Sequence, residues 1–161
     1  MMTLLQLKRL ELEKKILERY MPEFQLYNAI TNPTVEGWCT PPWRHQNYKL
    51  QAVIPQHFPD QKPALYVMYP QVLFTLDASG ILNTMGATHA FHTWSPSPEG
   101  YVGICIGEWS ASHCLWTVMR RGVTWVNAYE KYLLTRSRDI DEIIGEWKRR
   151  ANENGGKVRL V

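Results

Sequence analysis

The sequence predicts an α+β domain in which an N-terminal helix precedes a four-stranded antiparallel meander, a long loop and C-terminal helices. Three observations lead to this class. A helical repeat of apolar residues opens the chain, short runs rich in β-branched and aromatic residues follow, and the helical repeat returns near residue 112. Segregation of strands and helices along a chain is typical of α+β domains.

The first helix is expected over residues 3–20. Its apolar residues recur with a period near 3.6, charged residues occupy the other positions, and Pro22 ends the pattern. The apolar positions are Leu4, Leu7, Leu10, Leu12, Ile16, Leu17 and Tyr20.

Four strands are expected over residues 24–30, 35–40, 48–54 and 64–68. Proline-containing turn signals separate them, which favours consecutive antiparallel pairing. These signals are Asn32-Pro33, Pro41-Pro42 and Phe58-Pro59-Asp60.

Periodicity is weak between residues 69 and 107. A hairpin turn is expected at 77–80 and an irregular loop at 95–100, which lengthens the path from His92 to Cys105. Long ordered loops often carry function. Helices are expected at 112–136 and 140–151, so the chain is interpreted as one domain, 1–161, with a flexible tail at about 152–161.

Composition argues against several classes of protein. The 161 residues carry a net charge of +3, which gives little support to a nucleic-acid or membrane-surface role. We find no apolar run of 18 residues and no secretory signal. With only three cysteines, we expect a cytoplasmic protein with free thiols.

Each cysteine is either a buried small hydrophobe or a nucleophile. Cys105 lies between glycines and apolar residues, after a loop and before a helix, and its local sequence is compatible with both alternatives. No cationic neighbour in the adjacent sequence would activate it. Cys114 begins a predicted helix, whose dipole favours a thiolate, but its apolar neighbours favour packing. Cys39 is interpreted as structural.

A metal site would need ligands such as His89, His92 and Cys105, which offer atoms suited to zinc. No paired Cys-x-x-Cys or His-Glu-x-x-His motif accompanies them. We therefore expect no metal and no cofactor, and keep a zinc-dependent hydrolase as a weaker alternative.

Several motifs together resemble the ubiquitin-conjugating fold. These are the opening helix, the meander, an aromatic-Pro pair followed by a second proline (Phe58-Pro59 with Pro63), and a Gly-Ile-Cys-Ile segment with a later tryptophan (103–109). The sequence is most similar to the bacterial conjugating-enzyme-like proteins of anti-phage CBASS operons. These have Glu-Trp after the cysteine and then a Trp-x-x-x-Tyr-Glu helix, here Glu108-Trp109 and 125–130.

The resemblance implies an enzyme in which Cys105 accepts an activated C-terminal carboxyl group by transthiolation and passes it to an amine. It implies that the acyl donor is the C-terminus of a cGAS-like nucleotidyltransferase. It also implies that an activating enzyme would contact the first helix, but it leaves open whether such an enzyme is a separate protein. His92, with Trp94 two residues later, corresponds to a histidine-aromatic pair of the bacterial proteins, so a role in loop orientation or oxyanion support is implied for it.

One departure from the family pattern keeps an alternative open. The eukaryotic proteins have His-Pro-Asn upstream of the cysteine, whereas only His89-Ala-Phe-His92 occupies this region here. The alternative is a non-catalytic binding module of the same fold, in which Cys105 is inert.

Overall fold

The computed structural model describes residues 1–43, 46–76, 80–136 and 138–154. The elements are α1 (Leu4–Tyr20), β1 (Phe24–Tyr27), β2 (Thr34–Cys39), β3 (Tyr48–Val53), β4 (Ala64–Tyr69), a 3₁₀ helix (Leu82–Thr84), β5 (Thr93–Trp94), β6 (Val102–Ile104), α2 (Leu115–Thr135) and α3 (Ile140–Glu153). The α+β class is confirmed.

The sheet differs from the prediction in its strand number. Within the described residues it has six strands in the order β1-β2-β3-β4-β6-β5, and each neighbouring pair is antiparallel. The four predicted strands form the meander, and β6 and β5 extend it beyond β4. Because β5 and β6 contain only two and three residues, they are too short to give a recognisable alternating pattern.

The core lies between one face of this sheet and the helices. Buried apolar side chains of β2, β3, β4 and β6 face α2, which crosses the sheet at Gly122. A Cβ atom at Gly122 would lie 2.8 Å from Leu50 and 2.9 Å from Leu65, so glycine permits this close approach. The helix α1 contacts β1 and α2, and α3 packs on α2.

The first helix begins as its sequence predicts but buries an unexpected residue. Thr3 and Gln6 form a capping box, which satisfies backbone donors at the helix start. Leu10 and Leu17 are buried, whereas Leu4 and Leu12 are exposed, so the apolar face is narrower than predicted. Glu13 is fully buried between the two leucines.

Two predicted segments fall partly outside the described residues. Of the expected turn at 77–80, residues 77–79 lie outside, while Phe74 and Ile81 form an isolated antiparallel bridge. Of the expected tail at 152–161, residues 155–161 lie outside, and α3 continues to Glu153. No helix within the described part of the chain is both long and apolar enough to cross a membrane.

Candidate functional site

Cys105 directly follows β6, at the point where the sheet ends in a groove. The residue is partly exposed, as Cys39 and Cys114 also are, and its backbone N–H donates a hydrogen bond to the carbonyl oxygen of His92, 2.9 Å away. Thr93 pairs with Ile104 in the antiparallel ladder, so His92 lies opposite Cys105. The 95–100 loop was expected to separate these residues, but β5 and β6 flank it and bring them together.

The groove beside Cys105 has a volume of about 880 Å³. Three parts of the chain line it: residues 87–94, residues 105–108, and the facing sides of α2 and α3. Both predicted site residues, Cys105 and His92, lie on its wall, whereas neither Cys39 nor Cys114 does. A cleft of this size is sufficient for an extended peptide or a small ligand.

The other two cysteines are poor candidates for a nucleophile. Burial, together with the nearby Glu23 carboxylate, raises the pKa of the Cys39 thiol to about 12. Burial and then Glu13 raise the pKa of the Cys114 thiol, and Arg9 only partly opposes them. The expected thiolate stabilisation at the start of α2 is therefore outweighed at Cys114, first by burial of the thiol and then by the Glu13 carboxylate beside it.

Positive charge reaches the groove from helices that are remote in sequence. Arg120 and Arg121 of α2 and Lys148 of α3 line it. Arg121 donates hydrogen bonds to the carbonyl oxygens of Ile106 and, at 3.2 Å, Glu108. The guanidinium of Arg121 therefore holds the segment that follows Cys105, while Arg120 and Lys148 are exposed.

The segment after Cys105 is also held on its other side. The indole N–H of Trp109 donates to the carbonyl oxygen of Pro59 at 2.7 Å, and its ring contacts Phe58 with centroids 6.1 Å apart. The Lys62 ammonium lies 3.4 Å from the carbonyl oxygen of Gly107. The proline turn therefore supports the conformation of the segment that follows the cysteine.

An ion pair on α1, in which Glu13 is buried and Arg9 is partly exposed, fixes the start of α2. Arg9 and Glu13 form a salt bridge of 2.7 Å, and Arg9 also donates to the carbonyl oxygens of Ala111 and His113. The second carboxylate oxygen of Glu13 accepts the backbone N–H of Leu115 at 2.8 Å. Because Cys114 makes no side-chain cap, Glu13 supplies the missing acceptor at this helix N-terminus.

The loop that carries His92 is anchored by α2 and α3. The indole N–H of Trp125 donates to the carbonyl oxygen of Phe91 at 2.8 Å. His92 Nε2 lies 2.6 Å from Asp141 Oδ1, and the backbone N–H of Asp141 donates to the carbonyl oxygen of Ala90 at 2.9 Å. His92 itself adopts a left-handed backbone conformation, with φ +48°.

The zinc alternative gains no support from this arrangement. His89 and His92 stack with ring centroids 5.7 Å apart, and both contact Asp141. Among the residues that the structure describes, no group of three or more histidine, cysteine, aspartate or glutamate side chains is arranged to hold a metal ion.

Comparisons with known proteins identify no family. No protein-family model, no curated protein and no solved structure matches the chain.

Several residues of this site, among them Asp141, Glu13 and Arg9, were missed by sequence reasoning. Asp141 lies in the first turn of α3, where an acidic residue is expected simply for the helix dipole. Arg9 and Glu13 both fall within a charged helix, and Arg9 differs in no visible way from its exposed residues. A carboxylate at an apolar-stripe position of α1, between Leu10 and Leu17, was the one available signal.

Proposed function

We propose that this protein is a ubiquitin-conjugating-like transferase that carries an acyl group as a thioester on Cys105. The observation that carries the proposal is the position of Cys105 in the groove. It lines the groove opposite a histidine, whereas Cys39 and Cys114 do not line the groove, and burial and a nearby carboxylate raise the pKa of both. A thioester carrier needs an accessible thiol beside room for an acyl chain.

The motifs on which the resemblance rests also contact the candidate site. The Phe58-Pro59 turn packs on Trp109, and Trp125 of the predicted helix motif bonds to the backbone next to His92. The element order, a helix, a meander, a cysteine loop and two helices, is compatible with a ubiquitin-conjugating fold.

In the reaction proposed, an activated C-terminal acyl group reaches the chain as a thioester. Cys105 Sγ attacks the carbonyl carbon, the bond to the donor thiol breaks, and the proton of the Cys105 thiol ends on the departing thiol. An amine then displaces Cys105. The proposed acyl donor is the C-terminus of a cGAS-like nucleotidyltransferase in bacterial CBASS defence, and the exposed Arg120 and Lys148 would attract acidic groups on a bound tail.

The experiment is intact-mass analysis after incubation with the nucleotidyltransferase and its activating enzyme. We expect an adduct on the wild-type protein that a thiol reductant removes, a reductant-resistant ester on Cys105→Ser, and none on Cys105→Ala. Cys114→Ser is the matched control, because serine also suits a helix N-cap, and it should form the adduct normally. Absence of any adduct on Cys105 would refute the transferase.

A second candidate, a non-catalytic binding module of the same fold, has one observation in its favour. The described residues that line the groove include no asparagine or glutamine, so no side-chain amide is positioned there to stabilise an oxyanion. This function predicts that Cys105→Ala binds the partner tail and supports defence as well as the wild type. Loss of defence with retained tail binding would exclude it.

A further inference from the structure

Asp141 and His92 form a hydrogen-bonded pair at the groove that contains Cys105. The two atoms, His92 Nε2 and Asp141 Oδ1, are 2.6 Å apart, and both side chains are only partly exposed. The backbone bond between Asp141 and Ala90 fixes the start of α3 against the histidine loop. A side-chain hydrogen bond and a backbone hydrogen bond therefore both connect the histidine loop to the start of α3.

The pair determines which nitrogen of His92 can accept a proton. A carboxylate only accepts hydrogen bonds, so the neutral imidazole carries its proton on Nε2, the atom facing Asp141. Its Nδ1 then has a free lone pair. Because the carbonyl oxygen of His92 bonds to the N–H of Cys105, the ring is attached next to the residue that would hold the acyl group.

We propose that His92 Nδ1 accepts the proton of the attacking amine and that Asp141 is its positioning residue, an inference that rests on the proposed thioester function. The amine nitrogen forms a bond to the acyl carbon and gives a proton to Nδ1. The Cys105 Sγ–carbon bond then breaks, and the proton passes from Nδ1 to the thiolate. The products are an amide and the free Cys105 thiol, with no other reactant consumed.

The test uses the full chain, loaded on Cys105 with the small thioester of N-acetylglycine and mercaptoethanesulfonate. The acyl-protein is separated from excess reagent and mixed with free lysine, and intact mass follows loss of the acyl group. His92→Gly removes the base, and glycine suits the left-handed backbone at this position. Asp141→Asn keeps the shape but removes the negative charge that holds the proton on Nε2 and stabilises the protonated imidazole.

We expect discharge to be roughly 100-fold slower in His92→Gly, the range for loss of a general base, and at least about tenfold slower in Asp141→Asn. Added imidazole should restore the rate of His92→Gly but not that of Asp141→Asn, in which His92 still fills the site. A merely structural role of His92 would show no such rescue. The controls, His57→Ala and Glu142→Gln, alter exposed side chains outside the groove and should discharge like the wild type.

The outcomes separate the two proposals. If Cys105 does not load although the protein is folded by circular dichroism, the thioester function itself is refuted. If Cys105 loads normally but His92→Gly discharges at the wild-type rate, or is slow without imidazole rescue, the proton-acceptor role is refuted. A wild-type rate in Asp141→Asn, with His92→Gly slow and rescued, refutes only the positioning role.

Discussion

Substitution of Glu13 tests whether the contact between α1 and the start of α2 stabilises the fold around the site. The variant Glu13→Ala removes a fully buried carboxylate that accepts two hydrogen bonds, from Arg9 Nε at 2.7 Å and from the backbone N–H of Leu115 at 2.8 Å. The guanidinium of Arg9 loses its counter-charge, and the first N–H of α2 loses its acceptor. Both losses occur where water has little access.

The magnitude follows from these two bonds. A hydrogen bond to a charged group contributes about 1.5–3 kcal/mol, and leaving one partner of a buried ion pair unpaired costs roughly 3–5 kcal/mol. We expect Glu13→Ala to lower the free energy of unfolding by about 3–5 kcal/mol. For a domain of this size that corresponds to a fall in Tm of roughly 6–20 °C.

Urea unfolding followed by tryptophan fluorescence and far-ultraviolet circular dichroism measures this loss. Glu11→Ala, an exposed change on the same helix, is the matched control and should change stability little. In a double-mutant cycle, Arg9→Ala with Glu13→Ala should cost less than the sum of the single variants, because the two side chains stabilise each other. A loss below about 1 kcal/mol in Glu13→Ala, or additivity in the cycle, would contradict this account of the anchor.

Four further predictions concern the sheet, α3 and the thiols. Gly103→Ala should destabilise the protein by about 1–3 kcal/mol and slow thioester formation, because its Cβ would lie 2.3 Å from the carbonyl oxygen of Ser95. A folded variant with wild-type stability and kinetics would contradict this close approach of Gly103 to Ser95. Gly145→Ala meets no atom within 4 Å and should stabilise α3 by roughly 0.5–1 kcal/mol, so a lower Tm would contradict an unobstructed helix face. With the pKa of Cys39 near 12, iodoacetamide at neutral pH should alkylate Cys105 well before Cys39, as peptide mass analysis would show, and the reverse order would be inconsistent with the burial. An unfolded thiol ionises near its ordinary pKa of 9.0, so stability should fall as pH rises from there towards 12, and Cys39→Ala should have a shallower decline.

The longer elements of the fold were predictable from local patterns. α1, the four meander strands and both C-terminal helices carry enough residues to display a helical or alternating repeat, and turn signals or proline separate most of them. The bounds differ from the predictions by a few residues. β1 ends at Tyr27, where the chain turns through the left-handed Asn28, and α2 begins at Leu115 instead of residue 112. The strands β5 and β6 are set by pairing with distant residues, which no local pattern reveals.

Individual residues of the site could be predicted from the sequence, but their contacts with one another could not. Cys105 and His92 could be chosen from their neighbours and from the resemblance, and the structure places both on one groove. Asp141 could not be chosen, since its importance depends on the packing of α3 against the loop before β5. The same limit applies to Arg121, which reaches the Cys105 segment from α2.

Strand pairing explains why His92 and Cys105 lie close together although they are well separated in the sequence. The stretch between His92 and Cys105 contains a tight turn, in which Ser97 N–H donates to the carbonyl oxygen of Tyr101 and the Ser97 hydroxyl accepts the Tyr101 N–H. Gly103 lets β5 lie against β6, since any side chain there would strike the backbone at Ser95. The sequence separation therefore closes through this turn, and the register of two short strands sets His92 opposite Cys105. A shift of this register by one residue would turn the histidine away from the thiol, so the smallest strands of the sheet control the candidate site.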